Sequence, residues 1–132
     1  LNWAWRHVGV VCVRRGKGDT TVVENTVREV REGRGALVFP EGTRSKDGEI
    51  HRFKAGAFTL AKEAGADILP VVLDGTKSLI GPKGLFDWRN RITIRVLPPV
   101  PAGEVASADT HELMRRVHDD MCAALADIRN NR

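Results

Sequence analysis

Residues 36–45 read ALVFPEGTRS. Four apolar residues run straight into a turn that holds Pro40, Glu41, Gly42 and Arg44. A short, fully apolar run of this kind is the pattern of a buried strand. Loops at the carboxyl ends of such strands are where layered α/β sheets bind ligands. Pro40 sets φ at the entrance of the turn, and Gly42 permits a tight bend or a close backbone approach. A plain surface turn has no need of a carboxylate and a guanidinium three residues apart. The stretch therefore predicts a strand followed by a ligand-bearing loop.

Working outward, the neighbouring segments alternate between strand and helix. VVCV (10–13) reads as a buried strand after a helix tail that Gly9 ends. The basic, Gly-rich RRGKGD (14–19) leads to a helix capped by Asp19 or Thr20, because a short oxygen side chain satisfies first-turn N–H groups. Val23, Val27 and Val30 fall on one face of it, and Gly33 is its expected stop. After the charged turn, 45–52 is a polar loop. Residues 55–65 read as a helix with Phe58, Ala61 and Ala64 inward. DILPVVL (67–73) is a further strand, with Pro70 removing a ladder donor and so marking an edge or bulge. A long irregular connection (74–88) follows, then RITIRVL (91–97), an alternating strand with one wet face. Pro98, Pro99 and Pro101 break the chain. A final helix runs from about residue 109, with Leu113, Val117, Met121, Ala124 and Ile128 on one face and a frayed RNNR end. The expectation is an α/β fold: a layered mixed sheet with flanking helices and parallel crossovers among the first three strands.

Bulk properties set limits. The 132 residues suit one domain, and 42% hydrophobic content supplies a core. Twenty-one Lys and Arg against 17 Asp and Glu leave a net charge of +4, a mild excess that fits an anionic partner. Basic residues are not clustered with aromatics, so a nucleic-acid partner is not expected. Cys12 and Cys122 are isolated, which points to reduced, buried thiols in a reducing compartment. No metal-ligand spacing appears. No apolar run is long enough to cross a bilayer.

Arg44 offers a planar fork suited to phosphate, while Glu41 repels an anion and serves better as an orienting group. The bland alternative is a turn with a surface ion pair, worth at most about 1 kcal/mol.

FPEGTRS resembles the third conserved block of the glycerolipid acyltransferases, the 1-acyl-sn-glycerol-3-phosphate acyltransferase superfamily. GVVCVRR (9–15) is similar to the second block, with Arg15 at its basic position and Cys12 where an aromatic residue is common. FKAGAFTLAKEAG (53–65) is similar to the family's helix after the charged turn, with Lys54 matching. ILPVVL (68–73) resembles the fourth block, with Pro70 its proline. The resemblance spans about residues 1–100.

The family's first block, H-x-x-x-x-D, is absent. Five residues after His7, His51, His111 and His118 stand Cys12, Gly56, Arg116 and Ala123. The resemblance then implies that residues 1–132 are a single partial acyltransferase domain with its N-terminal part missing. The catalytic His and Asp are expected upstream of Leu1, and none of the catalytic pair lies in this chain. By itself the chain is expected to be inactive.

The implied activity is acyl transfer from acyl-CoA or acyl-carrier protein to the hydroxyl of a lysophospholipid-type acceptor such as 1-acyl-glycerol-3-phosphate. The implied acceptor-site residues are Arg15, Glu41, Gly42, Thr43, Arg44, Lys54 and Pro70. Arg15 and Arg44 would take the phosphate, Glu41 would orient the acceptor or Arg44, and Pro70 would shape the acyl channel. No cofactor or metal is implied beyond the acyl thioester co-substrate. A membrane surface at its cytoplasmic face is the expected location. The alternative is a non-catalytic anion- or lipid-binding pseudoenzyme module.

Overall fold

The computed structural model describes residues 20–79 and 91–131. Two compact units divide the chain, Leu1–Leu37 and Val38–Arg132. The expected helix tail and strand at 2–13, the basic loop at 14–19 and residues 80–88 of the 74–88 connection lie outside the described residues.

In the first unit α1 spans Thr20–Arg31. It ends as expected: Gly33 has φ +91°, a left-handed conformation that Gly adopts without Cβ strain. Its N–H donates to Val30 O (3.0 Å), and the Arg34 N–H donates to Glu29 O (3.1 Å), which satisfies the orphan carbonyls of the last turn. Arg28 and Arg31 in that turn complement the helix dipole. Val27 and Val30 are half-buried, while Val23 on the same stripe is exposed.

Residues 36–39 form no strand, which corrects the opening expectation. Leu37 is 83% exposed and Phe39 64% exposed. A strand exists only when a neighbour accepts and donates along its edge. None of the described strands pairs with this run, and no parallel crossover is formed among the described residues.

In the second unit α2 spans Gly56–Ala64, β1 Val71–Asp74, β2 Thr93–Val96, α3 Ala102–Ser107 and α4 Thr110–Asn130. Phe58, Ala61 and Ala64 of α2 are buried, and Gly65 ends the helix, both as expected. The strands pair antiparallel, with Val71 opposite Val96, Val72 opposite Arg95, Leu73 opposite Ile94 and Asp74 opposite Thr93. An isolated bridge joins Ile68 to Val100. Between bridge and ladder stand two residues (69, 70) on one side and three (97–99) on the other. Pro70 therefore sits at a bulge, where its carbonyl accepts from Leu97 N (3.0 Å) and its missing N–H is not needed.

This register decides the sheet's faces. Val72 packs on Ala124, Leu125 and Ile128 of α4. Arg95 shares that face and pairs with Asp127 of α4. Leu73, Ile94 and Val96 are therefore turned away, and Ile94 is 63% exposed. The alternation in RITIRVL is real, but its apolar side faces outward, opposite to the usual sense of a half-wet strand.

A second cluster holds the helices together: Phe53, Phe58, Ala61, Val100, Val105, Leu113 and Val117. Asp109 caps α4 by accepting from Glu112 N (3.0 Å). The short α3 was not anticipated; its Ala102 N–H is taken by Asp67 Oδ1 at 2.7 Å. No helix of the described residues is long and apolar enough to cross a membrane.

Candidate functional site

The charged turn opens with a hydrogen bond from Gly42 N to Phe39 O (3.0 Å), with Pro40 in the position its fixed φ favours. Gly42 takes φ +71°. The Lys54 N–H then donates to Pro40 O (2.8 Å), so residues 40–54 form a loop whose two ends are tied. Ile50 and Phe53 anchor it. Ile50 packs against both core clusters, and Phe53 is buried in the larger one. Reading 45–52 as wholly polar misses Ile50.

Every carboxylate of this loop has a partner, Glu41 and Asp47 within the loop and Glu49 on α4. Glu41 Oε2 accepts from the backbone N–H of His51 (3.0 Å). Asp47 Oδ1 accepts from Ser45 Oγ (2.9 Å) and from Glu49 N (3.0 Å), and contacts His51 Nε2 at 2.8 Å. Glu49 Oε1 accepts from Arg129 Nη1 (2.5 Å). The Glu49 N–H, then the imidazole, then the Ser45 hydroxyl hold the Asp47 carboxyl well below the usual carboxylate range. Asp47 in return raises the His51 imidazole above its ordinary value.

The cations are left outward. Arg44, Lys46, Arg52 and Lys54 are all exposed, and none has an ion-pair partner among the described residues. Lys54 folds back over the turn. Its Nζ lies 2.9 Å from the point a Cβ on residue 42 would occupy. A loop whose carboxylates are all partnered, and which presents a guanidinium and an ammonium with no ion-pair partner among the described residues, has the local electrostatics of an anion site.

The expected site residues separate into three groups. Glu41, Gly42, Thr43 and Arg44 lie on the one turn, and Lys54 is brought against it from twelve residues away (54 − 42). Pro70 is buried at the sheet bulge, apart from the turn's hydrogen bonds. Arg15 lies outside the described residues. Glu41 makes no ion pair with Arg44; its carboxylate closes the loop on the His51 N–H instead. Close approach at Gly42 comes from Lys54.

Two residues gain roles the sequence did not suggest. His118 is half-buried, with its ring edge-on to Phe53 at a centroid distance of 4.9 Å. Arg129, expected on a frayed end, is half-buried and bonded to the loop. Its signal was faint but present: it stands four residues after Leu125, on the flank of the buried stripe of α4. Cys122 is a free, half-buried thiol, and burial pushes its ionisation up, which suits an inert cysteine.

Comparison with known proteins shows the family. The Acyltransferase family model matches residues 1–74, more than half of the chain, and the chain belongs to that family. It is 34% identical over 116 residues to human 1-acyl-sn-glycerol-3-phosphate acyltransferase beta, covering 86% of this chain and 42% of that protein. It is 33% identical over 134 residues to the yeast 1-acyl-sn-glycerol-3-phosphate acyltransferase, covering 97% and 44%. A chloroplastic 1-acyl-sn-glycerol-3-phosphate acyltransferase of Brassica napus is 32% identical over 124 residues, covering 92% and 36%. The fold superposes on the crystal structure of the 1-acyl-sn-glycerophosphate acyltransferase PlsC from Thermotoga maritima with a TM-score of 0.77 and 25% identity, over 97% of this chain and 51% of that one. The chain thus spans between about a third and a half of the length of these relatives. The glycerolipid acyltransferase resemblance carried by FPEGTRS holds, as does the mixed α/β class.

Proposed function

We propose that the protein transfers an acyl group from acyl-CoA or acyl-carrier protein to the free hydroxyl of 1-acyl-glycerol-3-phosphate, in phospholipid biosynthesis. The segment 38–54 supplies the acceptor's phosphate site. The observation that carries the reading is the pairing pattern of the loop: Glu41, Asp47 and Glu49 all have partners, while Arg44, two residues after Gly42, and Lys54, folded over Gly42, have no ion-pair partner among the described residues. A phosphate dianion placed there gains charge-assisted bonds from a planar fork and a point charge together. Arg15 is assigned to the same phosphate by its place in the second block, and Pro70 to the shape of the acyl channel.

The chemistry needs a general base to take the acceptor's proton as its oxygen attacks the thioester carbonyl, with the thiol of the carrier leaving. The family resemblance assigns that base to an H-x-x-x-x-D pair outside residues 1–132. A lipid acceptor places the reaction at a membrane surface, on its cytoplasmic face.

The test is Arg44→Ala in the complete protein. The acceptor KM is expected to rise about ten- to a hundredfold, the loss of one charged hydrogen-bond set, with the thioester KM nearly unchanged. Arg44→Lys should recover part of the loss, because a point charge cannot replace the fork. An acceptor KM that stays put, or a change confined to the thioester, rejects the site. Phosphate binding with no acyl transfer by the complete protein would instead favour the non-catalytic module.

A further inference from the structure

We infer that Arg129, near the end of the C-terminal helix, is a positioning residue for the acceptor-phosphate loop. The inference rests on the functional reading above and extends it to a residue far along the chain.

Arg129 lies one residue before the end of α4, where a basic side chain ordinarily serves its own helix dipole. Here its guanidinium is directed elsewhere. Nη1 donates to Glu49 Oε1 at 2.5 Å, and Nη2 donates to the Gly48 carbonyl at 2.7 Å. Nη2 also lies 3.4 Å from Asp74 Oδ1, on the last residue of β1, which is buried. One planar fork therefore joins three elements: the helix, the strand and the loop. A guanidinium can do this because its donors diverge in a fixed plane.

The connection reaches the site in two further steps. The Gly48 N–H donates to Ser45 Oγ at 2.9 Å, and Ser45 follows Arg44. The loop's ends are tied separately, by Lys54 N to Pro40 O and by His51 N to Glu41. Its middle, 45–49, is tied to the rest of the unit by Arg129. Arg44 makes no bond among the described residues, so the backbone beneath it sets where its fork can reach. A loop ordered beforehand spares the ordering cost when the phosphate arrives.

The experiment uses the complete protein with Arg129→Ala, Arg129→Lys and Glu49→Gln, each measured for both KM values, kcat and melting temperature. Arg129→Ala is expected to raise the acceptor KM about three- to tenfold, the cost of re-ordering one or two side chains on binding, and to leave the thioester KM unchanged. Glu49→Gln keeps the Gly48 and Asp74 contacts and should shift the acceptor KM in the same direction by less. Arg129→Lys should restore part. A lower melting temperature with both KM values unchanged would make Arg129 a purely structural tie and overturn the inference. Should Arg129→Ala fail to fold, Glu49→Gln decides, since it removes only the charge of one exposed contact and leaves an amide oxygen in place of the carboxylate. Arg44→Ala run alongside separates the two claims. If it raises the acceptor KM while the Arg129 and Glu49 variants do not, this inference fails alone. If Arg44→Ala is silent, the phosphate site itself is wrong.

Discussion

The ammonium of Lys54 lies where a side chain on Gly42 would stand. Nζ is 2.9 Å, Cε 3.2 Å and Cδ 3.4 Å from the point a Cβ would take. Glycine at 42 thus does two things. It adopts φ +71°, and it leaves room for a cation from the far end of the loop.

Gly42→Ala should therefore cost about 1–2 kcal/mol in a urea melt, the penalty of the left-handed conformation for a residue with a Cβ. It should also raise the acceptor KM by driving Lys54 off the turn. A cycle with Lys54→Ala separates the two effects. The acceptor effect of Gly42→Ala should vanish in the Lys54→Ala background, while the stability loss persists. Additive acceptor effects would show that the contact is incidental.

The pair His51 and Asp47 gives the loop a pH dependence of known sign. His51 has a raised folded value, so its contribution is complete below the ordinary imidazole range and fades as pH climbs through that raised value. Asp47 has a depressed folded value, so its contribution is present above the ordinary carboxylate range and is lost as pH falls through the depressed value. The loop should be tightest between about pH 4 and pH 6.5. Both side chains are 55% exposed, so the effect should weaken in high salt. An NMR titration should find His51 above its ordinary value and returning towards it in Asp47→Asn. Identical titrations in the two proteins would mean the contact does not form in solution.

Leu113 is buried beside Phe53, Phe58, Val105 and Val117. Leu113→Ala should destabilise by about 2–5 kcal/mol, because it leaves a cavity that the neighbours only partly fill. Ile94→Thr, on the outward sheet face, should stay within about 0.5 kcal/mol. Equal effects of the two changes on the denaturation midpoint would show that the core is not where the packing places it.

Local patterns were legible where local physics decides. Thr20–Arg31, Gly56–Ala64 and Thr110–Asn130 follow from apolar spacing, with Gly33 and Gly65 as stops. Helical hydrogen bonds close within four residues, so the segment holds most of the information it needs. Pro70 marked a bulge for the same kind of reason: a missing donor is missing in any context. FPEGTRS carried the resemblance to the glycerolipid acyltransferases, and the family match over residues 1–74 agrees with it.

What the sequence by itself determined, then, is the three longer helices, a strand overlapping Val71–Asp74, the charged turn and the family. Tertiary structure decided three matters that no local pattern contains. ALVF has the composition of a buried strand but lacks a described neighbour, and a strand is made by its partner's hydrogen bonds. RITIRVL alternates correctly, yet the register that sets Arg95 opposite Val72 turns Ile94 and Val96 outward; a period of two fixes that faces differ, and pairing fixes which one is covered. Lys54 over Gly42 and Arg129 on Gly48 depend on where the chain returns, twelve residues on in one case and 81 in the other. Long side chains such as these carry no positional information until packing brings a partner within reach of their donors.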